Sequence, residues 1–355
     1  PKKFKSEIYN NRAHRIKSYY YHHDLRPLAT FYDSWGYERY KIYTNNLGFK
    51  DFTNREVKFK KRNLLFIGDS FTEGVGLPYE DSYVGLIDKK LKKKNLDLEV
   101  LNAGVQSYST SIYLAKIYHL LNRKKLPITD IVVMVSGGDV FDDSYKYLEV
   151  NKNFVLNHKD RKSKFRINLI NFYKSNTLTY QIISRITPPR VIPTLIRQMF
   201  ANKTNQKYQN EEDKRFKIQN DQIDNLKFFK IKDYSYFYSE KEFNEWGKKG
   251  IDYSINNLKM IVEICKNKNI NLNILYLYEP ILILKTPNNK PIEYLVNKFK
   301  LLEDDNINVD FIKDYYKSFE NPYDAYKNLF FISDIHFNKR GNQYIAKEIM
   351  KKLKF

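Results

Sequence analysis

The sequence predicts an α/β protein with a flavodoxin-like, three-layer α/β/α sandwich around a parallel sheet. Short apolar runs that stop at Gly, Asp, Ser or Asn alternate with longer segments of helical periodicity, which is the pattern of successive βαβ units. The chain has 355 residues, of which 42% are hydrophobic and 16% aromatic. That length and composition are sufficient for a large packed core and exclude a wholly disordered chain.

The first half of the predicted core spans residues 61–139. Its first apolar run is stopped by Gly68-Asp69-Ser70 and its third by Ser136-Gly137-Gly138-Asp139, as expected for buried strands that end in turns. We predict, in order, a strand over 63–67, a helix over 79–94, a strand over 98–101, a helix over 109–124 and a strand over 131–135.

The second half of the core is predicted at residues 241–355, where the alternation resumes. Its elements are a helix over 241–268, a strand over 272–278 and a closing helix over 341–353. The intervening residues, 140–240, are too many for a plain connection and are predicted to form an inserted cap. Residues 1–60 lack long periodicity and are predicted to be an N-terminal extension packed on the core rather than a separate domain.

The formal net charge of +21 suggests a nucleic-acid binder at first sight. Only 14 of the 62 basic residues are Arg, the preferred side chain for phosphate and base edges, so nucleic acid is not expected as a partner. The steepest bias lies in the cap, where residues 151–200 hold ten Lys or Arg and one Asp. Three interpretations stay open: a solvated face, a surface that attracts an acidic glycan, or a membrane-surface element built on the apolar and basic stretch 188–200.

Residues directly after each strand are the first candidates for a site, because ligands of open parallel sheets bind outside the carboxyl ends of the strands. Ser70 follows the first strand at a turn into a helix, and Asn102-Ala103-Gly104 follows the second. Asp334 and His336 precede the last helix, and residues two apart in an extended segment point to the same side. We predict that Ser70 is a nucleophile, that His336 is its base, and that Asp334 orients the imidazole.

The predicted donors to the oxyanion of an attacked carbonyl are the backbone N–H groups of Ser70 and Gly104. Each site residue also has a structural interpretation. Ser70 fits a helix N-cap, His336 a surface histidine near a helix start, and Asp334 a favourable charge at a helix N-terminus. The order of these residues along the chain favours the catalytic interpretation.

At these residues the sequence resembles the GDSL/SGNH hydrolase family, named for four blocks that carry Ser, Gly, Asn and His. The matching segments are Gly68-Asp69-Ser70 for the first block, Asn102-Ala103-Gly104 for the second, and 334–338 with Gly341 for the last. The resemblance covers about residues 60–135 and 240–355. It implies a serine-based ester chemistry with no metal and no organic cofactor. The segment 43–49 looks most similar to members linked to bacterial surface polysaccharides, and the similarity to alginate-type O-acetyltransferases is more distant.

The third block departs from the family pattern. The family carries Asn in a Gly-x-Asn-Asp turn, and the amide of that Asn donates to the oxyanion. Aligning the acidic residue puts Gly138 where Asn belongs, whereas aligning the glycine puts Asp139 there. Neither supplies a side-chain N–H, so Gly138 is an incomplete third oxyanion position. In the last block the family usually has Asp-x-x-His, but Ser333 holds that place and Asp334 lies one step closer to His336, as in some subfamilies.

Four polar residues beside these blocks are predicted to contact substrate: Asp69, Asn102, Asp139 and Asn45. For Asn45 a plain turn is the alternative, because the surrounding segment is rich in Asn and Gly.

Two other polar clusters contain potential metal ligands, but neither is predicted to be a metal site. Asp139, Asp142 and Asp143 are interpreted as a solvated loop, because no further ligand lies at a useful spacing. The His22-His23-Asp24 segment also lacks supporting ligands.

The location of the protein stays open between the bacterial cell envelope or periplasm and the cytoplasm. Cys265 is the only cysteine, which excludes an internal disulfide and leaves the redox compartment undecided. No apolar run approaches the ~18 residues of a membrane-spanning helix. The chain begins at Pro1 rather than Met, so we expect that an upstream segment was removed, with a signal or anchor segment among the alternatives.

The resemblance implies a serine-dependent esterase or O-acyltransferase that acts on O-acetyl or other small acyl esters of a bacterial surface carbohydrate. The expected partner is therefore a carbohydrate or small acyl-ester substrate, with acidic-glycan or membrane-surface contact through the basic cap as a further expectation. Two alternatives remain. The missing third-block Asn suggests a catalytically weakened protein that binds an anionic glycan, and the charge suggests a basic membrane-surface or nucleic-acid binder.

Overall fold

The computed structural model describes residues 14–35, 38–147, 149–157, 165–168, 232–285, 287–331 and 334–353. Most of the predicted cap lies outside the described residues, including the stretch 188–200 and most of the basic excess in 151–200, as do Pro1 and Ser333. Within the described ranges, no helix has the length and apolar character that crossing a membrane requires.

An eight-stranded sheet lies at the centre of the described structure. The strands of the described residues are Arg15–Ser18 (β1), His22–Leu25 (β2), Thr30–Trp35 (β3), Glu38–Thr44 (β4), Lys50–Asp51 (β5), Arg62–Ile67 (β6), Leu98–Asn102 (β7), Asp130–Val135 (β8), Asn271–Leu277 (β9) and Ile307–Ile312 (β10). The sheet has the order β10-β9-β8-β6-β7-β5-β4-β3, and β1 and β2 form a separate antiparallel hairpin.

The strands β6 to β10 run parallel, as the alternation of the sequence predicts. β6 pairs with β7 on one side and with β8 on the other, so the chain first builds one half of the sheet and then returns to build the other. The switch point of this parallel sheet therefore lies at the carboxyl end of β6. Every residue of β7 and β8 is buried, which requires cover on both faces of the sheet.

Helices supply that cover. Their bounds are Ser70–Glu73 (α1), Tyr83–Lys93 (α2), Thr110–Tyr118 (α3), Gly137–Tyr145 (α4), Lys248–Lys266 (α5), Pro280–Leu284 (α6), Asn289–Lys300 (α7), Pro322–Leu329 (α8) and Lys339–Lys352 (α9), with shorter turns at Tyr79–Asp81, His119–Arg123, Lys232–Phe237, Glu240–Glu242, Phe243–Gly247 and Asp314–Tyr316. α5 contacts α3 and α4, whereas α9 contacts α2. The predicted three-layer α/β/α fold with a mainly parallel sheet is confirmed.

Several elements differ from the prediction. The helix predicted over 79–94 is interrupted at Ser82, because the Ser82 hydroxyl accepts from the Gly85 N–H (3.2 Å) and starts α2 afresh. The strand β10 and the helices α7 and α8 were not predicted. β10 is an edge strand whose inner residues are only half-buried, so it lacks the continuous apolar run that marks β6 to β8.

The N-terminal strands β3 to β5 extend the core sheet. β5, β4 and β3 add to the free edge of β7 in antiparallel fashion, beginning with the Lys50–Asn102 pair. Lys116 of α3 is fully buried and pairs with Asp24 (2.9 Å), and its ammonium also donates to the Ala103 carbonyl (3.1 Å). The N-terminal strands are thus fixed to the loop that precedes Gly104.

Candidate active site

Ser70 is the first residue of α1, immediately after the carboxyl end of β6. The Asp69 carboxylate caps this short helix by accepting from the Phe71 N–H (2.9 Å). A side chain at Gly68 would lie 2.0 Å from the Thr72 hydroxyl, so only glycine permits the tight turn into the helix. The turn presents the Ser70 hydroxyl at the switch point of the sheet.

Residues of the N-terminal strands brace α1. Arg15 pairs with the buried Glu73 (2.9 Å), and the Lys50 ammonium donates to the carbonyls of Gly74 (2.9 Å) and Leu77 (2.6 Å). Burial alone would raise the pKa of Glu73, but the charges of Arg15 and Lys50 outweigh it and lower that pKa. No local sequence pattern predicts these contacts, since each joins positions far apart in the chain.

Ser70, His336 and Asp334 form one continuous hydrogen-bonded relay. The His336 Nε2 lies 2.8 Å from the Ser70 Oγ, and the His336 Nδ1 lies 2.5 Å from the Asp334 carboxylate. The same carboxylate oxygen accepts from the His336 backbone N–H (2.8 Å). Burial acts to raise the pKa of Asp334, but the hydrogen bond and charge of His336 dominate and lower it. The carboxylate therefore stays ionised and holds the imidazole with Nε2 facing the serine.

The segment that carries His336 is held in place between α8 and α9. Asn338 caps α9 by accepting from the Gly341 N–H (2.9 Å), while its amide donates to the carbonyls of Asn328 (3.0 Å) and Phe330 (3.1 Å). A side chain at Gly341 would lie 2.0 Å from the Leu329 carbonyl, so α9 can approach α8 only at a glycine. These contacts explain why Asn and Gly follow the histidine in the sequence.

The two predicted backbone donors differ in their bonding. The Ser70 N–H is at the first position of a helix, where it has no intrahelical acceptor. The Gly104 N–H, in contrast, donates to the side chain of Asn102 (3.1 Å), whose amide donates in turn to the Thr72 carbonyl (2.9 Å). A side chain at Gly104 would lie 2.6 Å from the Thr72 side chain. Gly104 is thus packed against α1, and the polar atoms of Asn102 bond within the protein rather than facing a substrate.

The third block begins the helix α4, and its geometry decides between the two alignments. The Asp139 carboxylate accepts from the Ser136 N–H (3.2 Å) in a capping box and from the Tyr113 hydroxyl (2.9 Å). Asp139 therefore faces the helix N-terminus and the core, which corrects its assignment as a substrate contact. Gly138 therefore stands at the third-block position where the family carries Asn, and it has no side chain to donate.

The interpretation of Asp142 and Asp143 as part of a solvated loop is wrong. Both lie in α4 and are buried, since the capping box starts a helix directly after β8. Asp143 accepts from the hydroxyls of Ser109 (2.5 Å), Thr110 (2.5 Å) and Ser254 (2.7 Å), so it links α4 to α3 and α5. Burial raises the pKa of Asp142 to about 7.

Glu279 is a buried acid near the site that the sequence did not reveal. It follows β9, and its carboxylate accepts from the N–H group of Gly137 at the start of α4. It has no exposed surface, and burial raises its pKa to about 8. Its one sequence signal is its position directly after a strand and before Pro280, the same kind of position as that of Ser70 and Asn102.

The two remaining predicted substrate contacts are also held by internal bonds. Asp69 accepts from the Ser136 hydroxyl (3.0 Å) in addition to its cap bond, and burial raises its pKa to about 6. Asn45 accepts from the N–H groups of Leu47 (3.0 Å) and Phe49 (3.1 Å), so it forms the plain turn that was the alternative. Asp69 therefore connects Ser70 to α4, and Asn45 does not face the site.

The His22-His23 pair lies in the N-terminal hairpin. The two Nδ1 atoms are 2.7 Å apart, and the His23 Nε2 lies 2.8 Å from the Gln106 carbonyl. Burial lowers the pKa of His23 to about 4, so this imidazole is neutral at physiological pH. Both nitrogens of His23 are engaged within the protein.

No protein-family model matches the sequence, and no curated protein matches it. Several solved structures are similar. The esterase EstA from Pseudoalteromonas sp. is 11% identical with a TM-score of 0.42, covering 82% of this chain and 96% of its own. TesA is 12% identical with a TM-score of 0.43, covering 82% and 98%. Axe2, an acetylxylan esterase from Geobacillus stearothermophilus, is 12% identical with a TM-score of 0.42, covering 84% and 97%. At TM-scores below 0.5 these similarities establish neither fold nor activity.

Proposed function

We propose that the protein is a serine ester hydrolase of the GDSL/SGNH type, with Ser70 as nucleophile, His336 as general base and Asp334 as the group that orients it. The observation that carries this proposal is the continuous relay from Asp334 through His336 to Ser70, with 2.5 Å and 2.8 Å between its polar atoms. A hydrogen bond between serine and an oriented imidazole is the arrangement that activates a serine hydroxyl.

In the proposed reaction the Ser70 Oγ forms a bond to the ester carbonyl carbon while its proton passes to the His336 Nε2. The electron pair of the carbonyl moves to oxygen and gives a tetrahedral oxyanion. Collapse of this intermediate breaks the bond to the leaving alkoxide, which takes the proton from His336. Water, or a sugar hydroxyl in the transferase variant of the proposal, then attacks the acyl-enzyme through the same steps and releases Ser70.

The proposed substrate is a small acyl ester, in first place an O-acetyl group on a bacterial surface carbohydrate. Ser70 and His336 each expose only 8% of their surface, which favours a small acyl group beside the nucleophile. The carbohydrate part rests on the sequence resemblance. Whether water or a sugar is the acceptor is decided by supplying an acetylated glycan, with and without an unacetylated one, and following acetate release against acetyl transfer.

Hydrolysis of p-nitrophenyl acetate tests the proposed function. We expect turnover by the wild type and loss of at least about 10⁴-fold in Ser70→Ala, because the nucleophile is removed. Ser18→Ala is the matched control, because the Ser18 hydroxyl accepts from the Tyr20 and Tyr21 N–H groups within the N-terminal hairpin and takes no part in the relay; it is expected to keep wild-type activity. Equal rates for wild type and Ser70→Ala would refute the proposal.

A second candidate function is a glycan binder with little or no turnover. It is favoured by Gly138, which has no side chain to donate, and by the Gly104 N–H, which is bonded to Asn102. Binding of acetylated oligosaccharide by calorimetry, together with no esterase activity above the Ser70→Ala background, would support this candidate over the enzyme.

A further inference from the structure

The oxyanion side of Ser70 has few free backbone donors. The Gly137 N–H donates to Glu279, and the Gly104 N–H donates to Asn102. This leaves the Ser70 N–H as the predicted donor without an intraprotein acceptor at its helix position. Each missing oxyanion donor typically costs a factor of about 10²–10³ in rate, so a second donor is needed for efficient acyl transfer.

Tyr234 lies at this side of the site. It belongs to the turn Lys232–Phe237, which returns the chain from the cap to the core and packs on α4. A methyl group added at Gly138 would lie 3.4 Å from the Tyr234 hydroxyl oxygen and 3.7 Å from the Ser136 Oγ. Ser136 in turn donates to Asp69, the residue next to the nucleophile. The Tyr234 hydroxyl therefore lies over Gly138, on the side of the Asp69–Ser70 turn.

The Tyr234 hydroxyl is an unused donor. Only 3% of the Tyr234 surface is exposed, yet its hydroxyl makes no hydrogen bond with the described part of the chain. The neighbouring tyrosines are different: the Tyr236 hydroxyl donates to the Gly137 carbonyl (3.3 Å) and that of Tyr238 to the Ile281 carbonyl (2.6 Å). The Tyr234 hydroxyl oxygen is not fully enclosed, in contrast to the unpaired hydroxyl of Tyr276, so a ligand group that accepts a hydrogen bond can reach it.

The surroundings of Tyr234 keep its phenol protonated. Burial, followed by the nearby carboxyl groups of Glu279 and Asp69, raises its pKa well above the ordinary value. The phenol therefore stays neutral over the pH range of an esterase assay and presents an O–H rather than a negative charge.

We infer that the Tyr234 hydroxyl donates a hydrogen bond to the oxyanion formed when Ser70 attacks an ester. Tyr234 thereby replaces the side-chain donor that Gly138 lacks. This inference rests on the proposed function. Tyr234 transfers no proton: the bond from Ser70 to carbon forms and the carbonyl electron pair moves to oxygen, as above, while the phenol O–H points at that oxygen. Tyr234 is then a catalytic residue contributed by the end of the cap.

The test is the Tyr234→Phe variant, assayed with p-nitrophenyl acetate beside wild type and Ser70→Ala. We expect kcat to fall about 100-fold with KM within about twofold, because the lost donor acts on the transition state. Thermal stability should not fall, since the hydroxyl has no partner within the protein. Tyr238→Phe is the matched control: it removes a hydroxyl bonded to Ile281 and should leave kcat unchanged.

A second variant separates catalysis from packing. In Tyr234→Phe the space beside Gly138 is widened, with the nearest ring carbon 3.9 Å from a methyl group at that position. Adding Gly138→Asn supplies an amide donor there, and we expect it to recover at least tenfold of the lost kcat.

The outcomes are distinguishable. If Tyr234→Phe keeps wild-type kcat while Ser70→Ala is inactive, the Tyr234 inference is overturned and the proposed function stands. If wild type and Ser70→Ala hydrolyse the ester at the same rate, the proposed function fails and the inference falls with it.

Discussion

The two sides of Ser70 are built in different ways. On the α9 side, His336 and Asp334 are hydrogen-bonded to each other, and the pKa of Asp334 is lowered. On the α4 side lie two other buried acids, Asp69 and Glu279, whose pKa values burial raises to about 6 and about 8. One side thus stabilises an ionised carboxylate, whereas the other penalises it.

This difference matches the charges that the proposed reaction creates. The relay side must stabilise an imidazolium, which an ionised Asp334 does. The oxyanion side must accept a new negative charge, and a second full charge beside it would oppose the reaction. A Glu279 that is mostly protonated near pH 7 avoids that repulsion, while the raised pKa of Tyr234 keeps a neutral donor there.

The largest expected effect lies on the relay side. Asp334→Asn keeps the size of the side chain but removes the charge that holds His336 in its tautomer, so kcat should fall by about 10³–10⁴-fold. Steady-state kinetics on p-nitrophenyl acetate measure it. Asp324→Asn, on the preceding helix α8, is the control and should leave kcat unchanged. A loss of less than tenfold in Asp334→Asn would contradict the assignment of Asp334 as the orienting group.

On the α4 side the expected effect is a pH-dependent stability. The pKa of Glu279 is raised from 4.5 to about 8 in the folded state, so the stability linked to its proton is complete below pH 4.5 and is lost as the pH rises to about 8. Glu279→Gln keeps an acceptor oxygen for the Gly137 N–H and removes this loss. Between pH 5 and 9 the wild type should therefore lose on the order of 4 kcal/mol of unfolding free energy relative to Glu279→Gln.

Urea unfolding across that pH range measures the difference. Glu320→Gln, at an exposed acid, is the control and should follow the wild type. If the curves of wild type and Glu279→Gln run parallel, the α4 side does not penalise a charge at Glu279, and the two sides of Ser70 do not differ in this respect.

The smallest of these effects concerns the close packing of the second block. In Gly104→Ala the new methyl group would lie 2.6 Å from the Thr72 side chain and 2.7 Å from the Glu73 nitrogen, so α1 must shift. We expect a loss of about 1–3 kcal/mol in stability, accompanied by a lower kcat. Gly138→Ala, which meets only ordinary contacts, should change stability by less than about 0.5 kcal/mol. A stable and fully active Gly104→Ala would show that α1 tolerates displacement.

The relay could be read from the sequence because each of its residues follows a strand or precedes a helix in a recognisable local pattern. Ser70 comes after a buried apolar run, and Asp334 and His336 lie two residues apart before α9. The local pattern and the topology of a parallel sheet together predict that these three residues lie at one edge of the sheet. The parallel strands β6 to β9 are predictable for the same reason.

The α4 side could not be read in this way, because its contacts join distant segments that carry no local signal. Glu279 reaches Gly137 across 142 positions, and Tyr234 belongs to a segment interpreted only as cap. Asp142 and Asp143 are buried because α3 and α5 pack around α4. The composition of this segment alone suggests a charged loop instead. The N-terminal strands were missed since β5 has only two residues and pairs with β7 through one of them.

Covalent labelling tests whether Ser70 is an activated nucleophile, independently of any particular ester substrate. The intact protein is treated with a p-nitrophenyl phosphonate, and the adduct is counted by mass and located by peptide mapping. We predict one adduct per chain, on the peptide that contains Ser70, present in Ser18→Ala and absent in Ser70→Ala. No adduct on the wild type, or equal labelling of Ser70→Ala, would show that Ser70 is not an activated nucleophile.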